Sequence, residues 1–189
     1  EYTDPMIIHI ASPTSVYLYQ SLNEDRDREC LAAVAPRIPQ FSFGQFMDAE
    51  TFTIKLMSMF KDTIGEDGRN DRDKVLKYIG TAETGSLQAY GDDGVSQSVT
   101  IQKTTTSKEA AIVPNPVIMF PYRTFLEVDQ PGSPFIFRMK DGPSGMTAAL
   151  FEADGGMWQI EAVDNIRLYL TAALKDLGKE FSDHFIVIG

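Results

Sequence analysis

The sequence has few cysteines and histidines and no long apolar run, and each shortage argues against a class of protein. A single cysteine, Cys30, cannot form an internal disulfide, which favours a reducing compartment such as the cytoplasm. The two histidines, His9 and His184, lie near opposite ends of the chain and give no zinc-ligand spacing, so we predict neither a metal site nor a cofactor. No segment approaches the roughly 18 apolar residues that span a bilayer, so we predict no membrane association.

Basic residues are also in deficit. The chain has 17 Lys and Arg against 27 Asp and Glu, a net charge of −10. Such a field repels phosphate backbones and disfavours direct nucleic-acid binding. It is compatible with an acidic decoy that imitates DNA and occupies the basic groove of a DNA-binding protein. The simpler interpretation is that like charge keeps the molecules apart in solution.

The remaining composition is that of a globular protein. The 189 residues are 43% hydrophobic and include twelve phenylalanines, enough for one domain over residues 1–189 without a disulfide or metal. Strand-rich stretches alternate with helical ones. We therefore predict a single α+β domain with a mainly antiparallel sheet and two principal helices packed against it.

The first third of the chain contains the first of these helices. Its pattern predicts a helix over residues 48–61, with Asp48 as N-cap and apolar side chains at helical spacing. Short β-type runs precede it at residues 6–10, 15–18 and 30–35, with a solvated turn at 23–29.

The segment after this helix is interpreted as an exposed polar loop (62–73). A half-buried strand is predicted to follow at 74–81, from an alternation of apolar and polar residues in KVLKYIGT. The GDDG turn at 91–94 predicts a hairpin between strands at 86–90 and 95–103, with a loop at 104–107. Pro114 and Pro116 interrupt the apolar run 110–120, which predicts an edge strand or an irregular segment.

Residues 121–177 are the predicted organising stretch. Strands are expected at 123–128, 134–139 and 147–153, with a plain turn at 142–145. Gly155 and Gly156 then lead into the second helix, which Gly178 ends. A final strand is expected at 185–188. The predicted apolar stripe of the second helix comprises Ile160, Val163, Ile166, Leu170, Leu174 and Leu177.

The same stretch contains the candidate site residues, which are charged side chains set among aromatics. The candidates for catalysis are the carboxylates of Asp129, Glu152 and Asp154. Carboxylates gathered near a glycine turn are typical of metal-assisted or acid–base hydrolysis.

The candidates for binding are Arg123, Glu127 and Arg138. Arg123 and Glu127 share strand parity, and Arg138 is expected to face Glu152 on a neighbouring strand. The favoured alternative is that all these charges pair on the wet face of a sheet, with Asp154 or Gly156 capping the helix.

Four segments resemble a family of proteins encoded by bacteriophages and prophages. They are FGQFMDAETF around residues 44–52, GDDGVSQ at 91–97, residues 121–138 and residues 149–158. We know of no established activity for that family, so the resemblance implies no catalytic residue. It implies an intracellular phage product.

Our first functional hypothesis is a non-enzymatic interaction protein of phage origin that self-associates, with a host protein as a further possible partner. Its basis is the absence of a specific catalytic motif, together with proline-limited or polar-faced strands suited to pairing between subunits. The alternatives are the metal-assisted hydrolase and the acidic decoy, which would block a host DNA-binding or defence protein.

Overall fold

The computed structural model describes residues 5–63, 68–83, 86–92, 97–102, 108–113 and 115–189. Over these residues the elements are β1 (Met6–Ser12), β2 (Ser15–Tyr19), β3 (Cys30–Val34), β4 (Met47–Asp48), α1 (Ala49–Met59), α2 (Arg72–Glu83), β5 (Ser86–Asp92), β6 (Gln97–Gln102), β7 (Lys108–Val113), β8 (Val117–Met119), β9 (Ser133–Gly142), β10 (Gly145–Glu152), α3 (Trp158–Asp176), α4 (Lys179–Ser182) and β11 (Phe185–Ile188).

The chain divides into two compact units, each built from separated segments. Unit 1 comprises Glu1–Pro39, Tyr122–Pro131 and Met157–Gly189, and unit 2 comprises Gln40–Pro121 and Gly132–Gly156. This division does not decide whether the two units make one domain, so a single domain over residues 1–189 stays a prediction.

Unit 1 contains a four-stranded sheet in the order β11-β1-β2-β3. Strand β1 pairs parallel with β11 and antiparallel with β2, so that Ile8 lies between Val187 and Leu18. Strand β3 pairs antiparallel with β2 and lies at one end of the sheet. The strands predicted near both ends of the chain are confirmed.

The core of unit 1 is small. Among the described residues its fully buried cluster is Ile10, Val128 and Ile166, with five partly buried side chains packed around them. The middle of the predicted stripe on α3 faces this core, but Ile160 and Leu177 at its two ends are 60% and 64% exposed.

The two ends of α3 differ in how well the sequence predicted them. Gly178 ends the helix as predicted, since its φ of +97° lies in the left-handed region that glycine tolerates. The predicted cap by Asp154 or Gly156 is wrong. The N-cap residue is Met157, which makes no side-chain cap bond.

Unit 2 is organised around the β9–β10 hairpin. Alternate side chains of β9 are buried, which places Phe135, Phe137 and Met139 on one face. The helices α1 and α2 pack on this hairpin, and the buried cluster includes Phe52, Leu56, Phe60, Val75, Ile79 and Leu150. The strands at 134–139 and 147–153, and the turn between them, are confirmed.

Helix α1 begins as predicted. The carboxylate of Asp48 accepts a hydrogen bond of 2.8 Å from the backbone N–H of Thr51, and this bond is the main reason that the pKa of Asp48 is lowered from its ordinary value. Phe52 and Leu56 lie one turn apart on its buried face.

The strand predicted at residues 74–81 is wrong, because this segment belongs to α2. Val75, Ile79 and Ala82 are buried at spacings of four and three, which is the helical period. The apolar side chains of KVLKYIGT, at positions 75, 76, 78 and 79, follow the helical spacing i, i+1, i+3, i+4 and do not alternate with the polar ones. The preceding loop is also not wholly exposed, because Asp71 and Arg72 are 1% and 9% exposed.

The outer edge of β9 is closed by two amide side chains. The amide of Asn115 accepts from Phe137 N at 2.7 Å and donates to Phe137 O at 3.1 Å. The amide of Gln97 makes the same pair of bonds with Met139, at 3.0 and 2.6 Å. Each amide reproduces the donor and acceptor of a neighbouring strand, so these two backbone positions of β9 are satisfied.

The apolar run at 110–120 contains two strands, and each is the end strand of its sheet, as the edge-strand prediction expected, although that prediction had one strand and not two. Strand β7 belongs to a three-stranded antiparallel sheet with β6 and β5, and β8 pairs with β9. The two hairpin strands predicted around GDDG correspond to β5 and β6. Residues 93–96 and 103–107 lie outside the described residues, and these include the second half of the predicted turn and the predicted loop at 104–107.

The predicted fold class is confirmed. The fold is α+β, and the described strand pairings are antiparallel apart from β1 with β11. The helices differ in number from the prediction, since α2 joins α1 and α3 as a third long helix.

Candidate interaction site: an exposed strand beside an apolar cleft

The most exposed stretch in the described chain is the second arm of the β2–β3 hairpin with its turn. All fourteen residues from 22 to 35 are exposed, and we call this segment the edge arm. It includes β3, whose five side chains are all exposed, and the apolar side chains of Leu31 and Val34 at 44% and 56%. A strand with no buried side chain gains little from the fold of its own unit.

The edge arm is nevertheless ordered by backbone bonds. Gln20 N donates to Glu29 O at 3.0 Å, and Asn23 N donates to Asp27 O at 2.9 Å, so the hairpin ladder continues past β3 towards the turn. The side-chain oxygen of Asn23 also accepts from Asp27 N at 2.8 Å. The register shifts between Leu18 and Tyr19, which leaves one extra residue in β3.

An apolar cleft opens beside the edge arm on the face of the sheet that α3 covers. It has a volume of about 270 Å³. Its lining residues come from β2, β3, the 122–131 segment and α3, and are Val16, Val34, Phe125, Glu127, Val128, Ile166, Tyr169 and Leu170. The carboxylate of Glu127 and the phenol of Tyr169 are its polar groups.

One wall of the cleft is the segment predicted as a strand at 123–128, and that prediction is wrong. The segment is a loop organised by the side chain of Gln130, which is 6% exposed. Its amide oxygen accepts from the backbone N–H groups of Arg123 and Thr124 at 3.0 and 3.3 Å. Its amide nitrogen donates to the carbonyls of Phe125 and Val128 at 2.8 and 3.2 Å. The side chain of Gln130 thus makes the hydrogen bonds to this backbone that a neighbouring strand would have made.

Two further bonds fix this loop within unit 1. The buried hydroxyl of Thr124 donates to Pro13 O at 2.6 Å, and the amide of Asn165 on α3 donates to Asp129 O at 2.9 Å. The wall of the cleft therefore has a defined shape set by polar side chains.

The predicted site residues of unit 1 have different surroundings. Glu127 lines the cleft, and the guanidinium carbon of Arg123 lies 4.1 Å from the ring centroid of Trp158, a cation–π contact. Asp129 contributes its backbone carbonyl to the bond with Asn165. Because the segment is not a strand, Arg123 and Glu127 do not share strand parity.

In unit 2, the register of the hairpin places the other three candidates. Arg138 lies opposite Ala149, and Glu152 lies opposite Phe135. The prediction that Arg138 and Glu152 face each other across neighbouring strands is therefore wrong. The carboxylate of Asp154 accepts from the hydroxyl of Ser133 at 2.6 Å and from Gly156 N at 3.0 Å. These bonds shape the turn that follows β10.

Within the described part of the chain, no group of three or more His, Cys, Asp and Glu side chains has a geometry that would hold a metal ion. The helices described here likewise include none that is long and apolar enough to cross a bilayer.

A buried carboxylate in unit 2 was missed by the sequence analysis. Asp71 accepts from Ile118 N at 2.9 Å and from the charged groups of Arg69 and Lys74, each at 2.8 Å. Burial opposes its ionisation, but these bonds outweigh that cost, so the pKa of Asp71 is lowered from its ordinary value. Because it joins the start of α2 to β8, its role is to anchor the fold.

The fold is thus α+β, and its candidate site is an exposed strand at the end of a sheet, next to an apolar cleft. Comparison with family models, curated proteins and solved structures finds no match to this chain. A bacteriophage origin stays a prediction from the sequence.

Proposed function

We propose that this protein is a non-enzymatic interaction protein that self-associates through the edge arm of unit 1. The observation that carries the proposal is the unbroken exposure of residues 22–35 around a strand at the edge of a sheet. The outer row of backbone N–H and C=O groups on an edge strand is a template for pairing with another strand.

Apolar exposure supports the same proposal. Leu31 and Val34 project from β3, and Val34 borders the cleft. A second strand laid along β3 would cover both side chains and extend the floor of the cleft. Covering apolar surface of this kind is the main favourable term in protein association.

The features of this edge favour a closed dimer over an open-ended polymer. Charged residues at 24–29, the register shift in β3 and the prolines at 36 and 39 are devices that limit indefinite strand pairing. Pairing of β3 with β3 uses this edge of both copies at once and leaves neither β3 edge for a third copy. The lone Cys30 and the resemblance to phage proteins suit such a dimer in the host cytoplasm.

The test compares two matched substitutions by light scattering and sedimentation equilibrium. Leu31→Lys places a charge on β3, and Leu168→Lys makes the same change on α3, where Leu168 is 66% exposed. We expect the wild type to dimerise, Leu31→Lys to weaken dimerisation by about tenfold or more, and Leu168→Lys to leave it unchanged.

A wild type that stays monomeric at every concentration reached would overturn the proposal. So would a dimer that Leu168→Lys weakens and Leu31→Lys does not, because the interface would then lie on α3.

A further inference from the structure

The apolar cleft of unit 1 is buried on one side and open on the other. Val128 and Ile166 are buried, so they form its interior, whereas Val34 and Tyr169 are exposed and mark its opening. Val16 and Val34 lie directly opposite each other on β2 and β3 and share the face that carries the cleft. A ligand that enters would therefore meet apolar side chains inside and water at the mouth.

The walls of the cleft are held in place without a ligand. The four bonds of Gln130 fix the loop that carries Phe125 and Val128. The bond from Asn165 to Asp129 O attaches the same loop to α3, which supplies the opposite wall. Binding to such a preformed cleft costs little ordering of the protein, which is typical of small-molecule sites.

Charge restricts the kind of ligand. Among the described residues that line the cleft, Glu127 is the one charged side chain, and it is exposed. The rings of Phe125 and Tyr169 favour a cation over an anion. The net charge of −10 acts in the same direction and disfavours an anionic ligand such as a fatty acid.

The size of the cleft restricts the ligand further. Its volume is about 270 Å³. An apolar cavity of about 150 Å³ accommodates benzene, so this cleft has room for one ring with a short chain.

We infer that the cleft is a binding site for a small amphiphilic amine, whose hydrocarbon part occupies the apolar interior while its ammonium group stays beside the carboxylate of Glu127. This site goes beyond the proposed self-association, because all its lining residues belong to one copy of unit 1.

Three matched probes test the inference by titration into the full chain. They are 2-phenylethylamine, 2-phenylethanol and 3-phenylpropanoate, which share a ring and differ in charge. The methyl resonances of Val16 and Val34 report binding, and that of Ile79 in the core of unit 2 is the internal control. We expect the amine to bind with a Kd of about 1 mM, the alcohol to bind about threefold more weakly and the acid to bind weakest.

Charge variants of Glu127 test its role. Glu127→Gln should remove the preference for the amine over the alcohol, and Glu127→Lys should invert the order so that the acid binds best. The affinity for the neutral alcohol should stay the same in both variants, which shows that the cleft is intact. Asp183→Lys is the matched control. It makes the same change in net charge at an exposed residue before β11, at the opposite end of the sheet from β3, and should keep the amine first.

The outcomes are separate from those of the self-association test. An amine that shifts neither Val16 nor Val34 overturns the inference, and so does an Asp183→Lys variant that inverts the order as Glu127→Lys does. The Leu31→Lys variant should bind the amine as the wild type does, whatever its oligomeric state. Loss of amine binding in that variant would show that one copy does not build the site, and would also overturn the inference.

Discussion

The two units of this protein reach stability by different means. Among the described residues, fifteen buried side chains form one apolar cluster in unit 2, whereas three form that of unit 1. Unit 2 brings Phe41, Phe52 and Phe60 together edge to face, with ring centroids 5.1 and 5.7 Å apart. Unit 1 relies more on amide and hydroxyl side chains that bond its 122–131 loop.

This difference indicates how the functions are divided. A dense apolar core is stable by itself and can close its own edges, as Asn115 and Gln97 do for β9. A unit with few buried side chains and an open strand edge gains more from covering its surface with a partner. If the protein self-associates as proposed, its interaction surface therefore lies on unit 1.

The largest effect is expected from the core of unit 2. Phe137 is fully buried and its ring centroid lies 5.9 Å from that of Phe52, so Phe137→Ala should lower the free energy of unfolding by about 3–5 kcal/mol. Urea denaturation measures the change. Leu168→Ala is the control, because its exposed side chain should cost less than about 0.5 kcal/mol. Equal losses of unfolding free energy from Phe137→Ala and Leu168→Ala would contradict the difference in core packing between unit 2 and unit 1.

An intermediate effect is expected from Asp71→Asn, which keeps the shape of the side chain and removes its charge. At neutral pH it should cost about 2 kcal/mol, because the bonds that Asp71 accepts are charge-assisted. The exposed Asp62→Asn, by the same method, should cost far less.

The cost of Asp71→Asn should also depend on pH. The folded-state pKa of Asp71 is lowered, so its carboxylate stabilises the fold fully above the unfolded value of about 3.9. That contribution is lost as the pH falls through the lower, folded-state pKa. The difference between wild type and variant should therefore shrink on acidification, and a difference constant from neutral to strongly acidic pH would contradict the assigned role.

The smallest effect is expected in unit 1. Gln130→Ala removes the partner of four backbone groups, and water can replace some of these bonds, so we expect a loss of about 1–2 kcal/mol. Hydrogen exchange should speed up at the amides of Arg123 and Thr124 and stay unchanged at Met139 in unit 2. The exposed Gln159→Ala should change none of them. Acceleration at Met139 as well would show that the two units unfold together.

Local patterns predicted much of this fold. Asp48 before an apolar helical spacing located α1. The strands expected on either side of the turn at 142–145 located the hairpin, and Gly155 and Gly156 before the apolar stripe located α3. Each of these signals is contained within one element and its immediate neighbours. They were sufficient for the α+β class.

The wrong predictions involve partners that are distant in sequence and, at 74–81, a helical spacing of apolar residues that the predicted alternation overlooked. Residues 123–128 form a loop and not the predicted strand because the side chain of Gln130 bonds their backbone groups. The sequence pattern does not show whether a glutamine is buried or exposed. Asp71 looked like one more charge in a polar loop, because its bond to Ile118 spans 47 positions. The edge arm was predicted as a strand and a turn, but its exposure depends on which strand ends the sheet, and sequence does not specify this.

The parallel pairing of β1 with β11 has a consequence for synthesis. The residues that pair, Met6 with Phe185 through His9 with Ile188, are made at the beginning and the end of the described chain. The segments of unit 2 lie between them, so its core can assemble on the ribosome before β11 emerges. The edge arm is made early but gains its complete sheet last. We expect nascent chains to complete the sheet of unit 1 only after all the segments of unit 2 have been made.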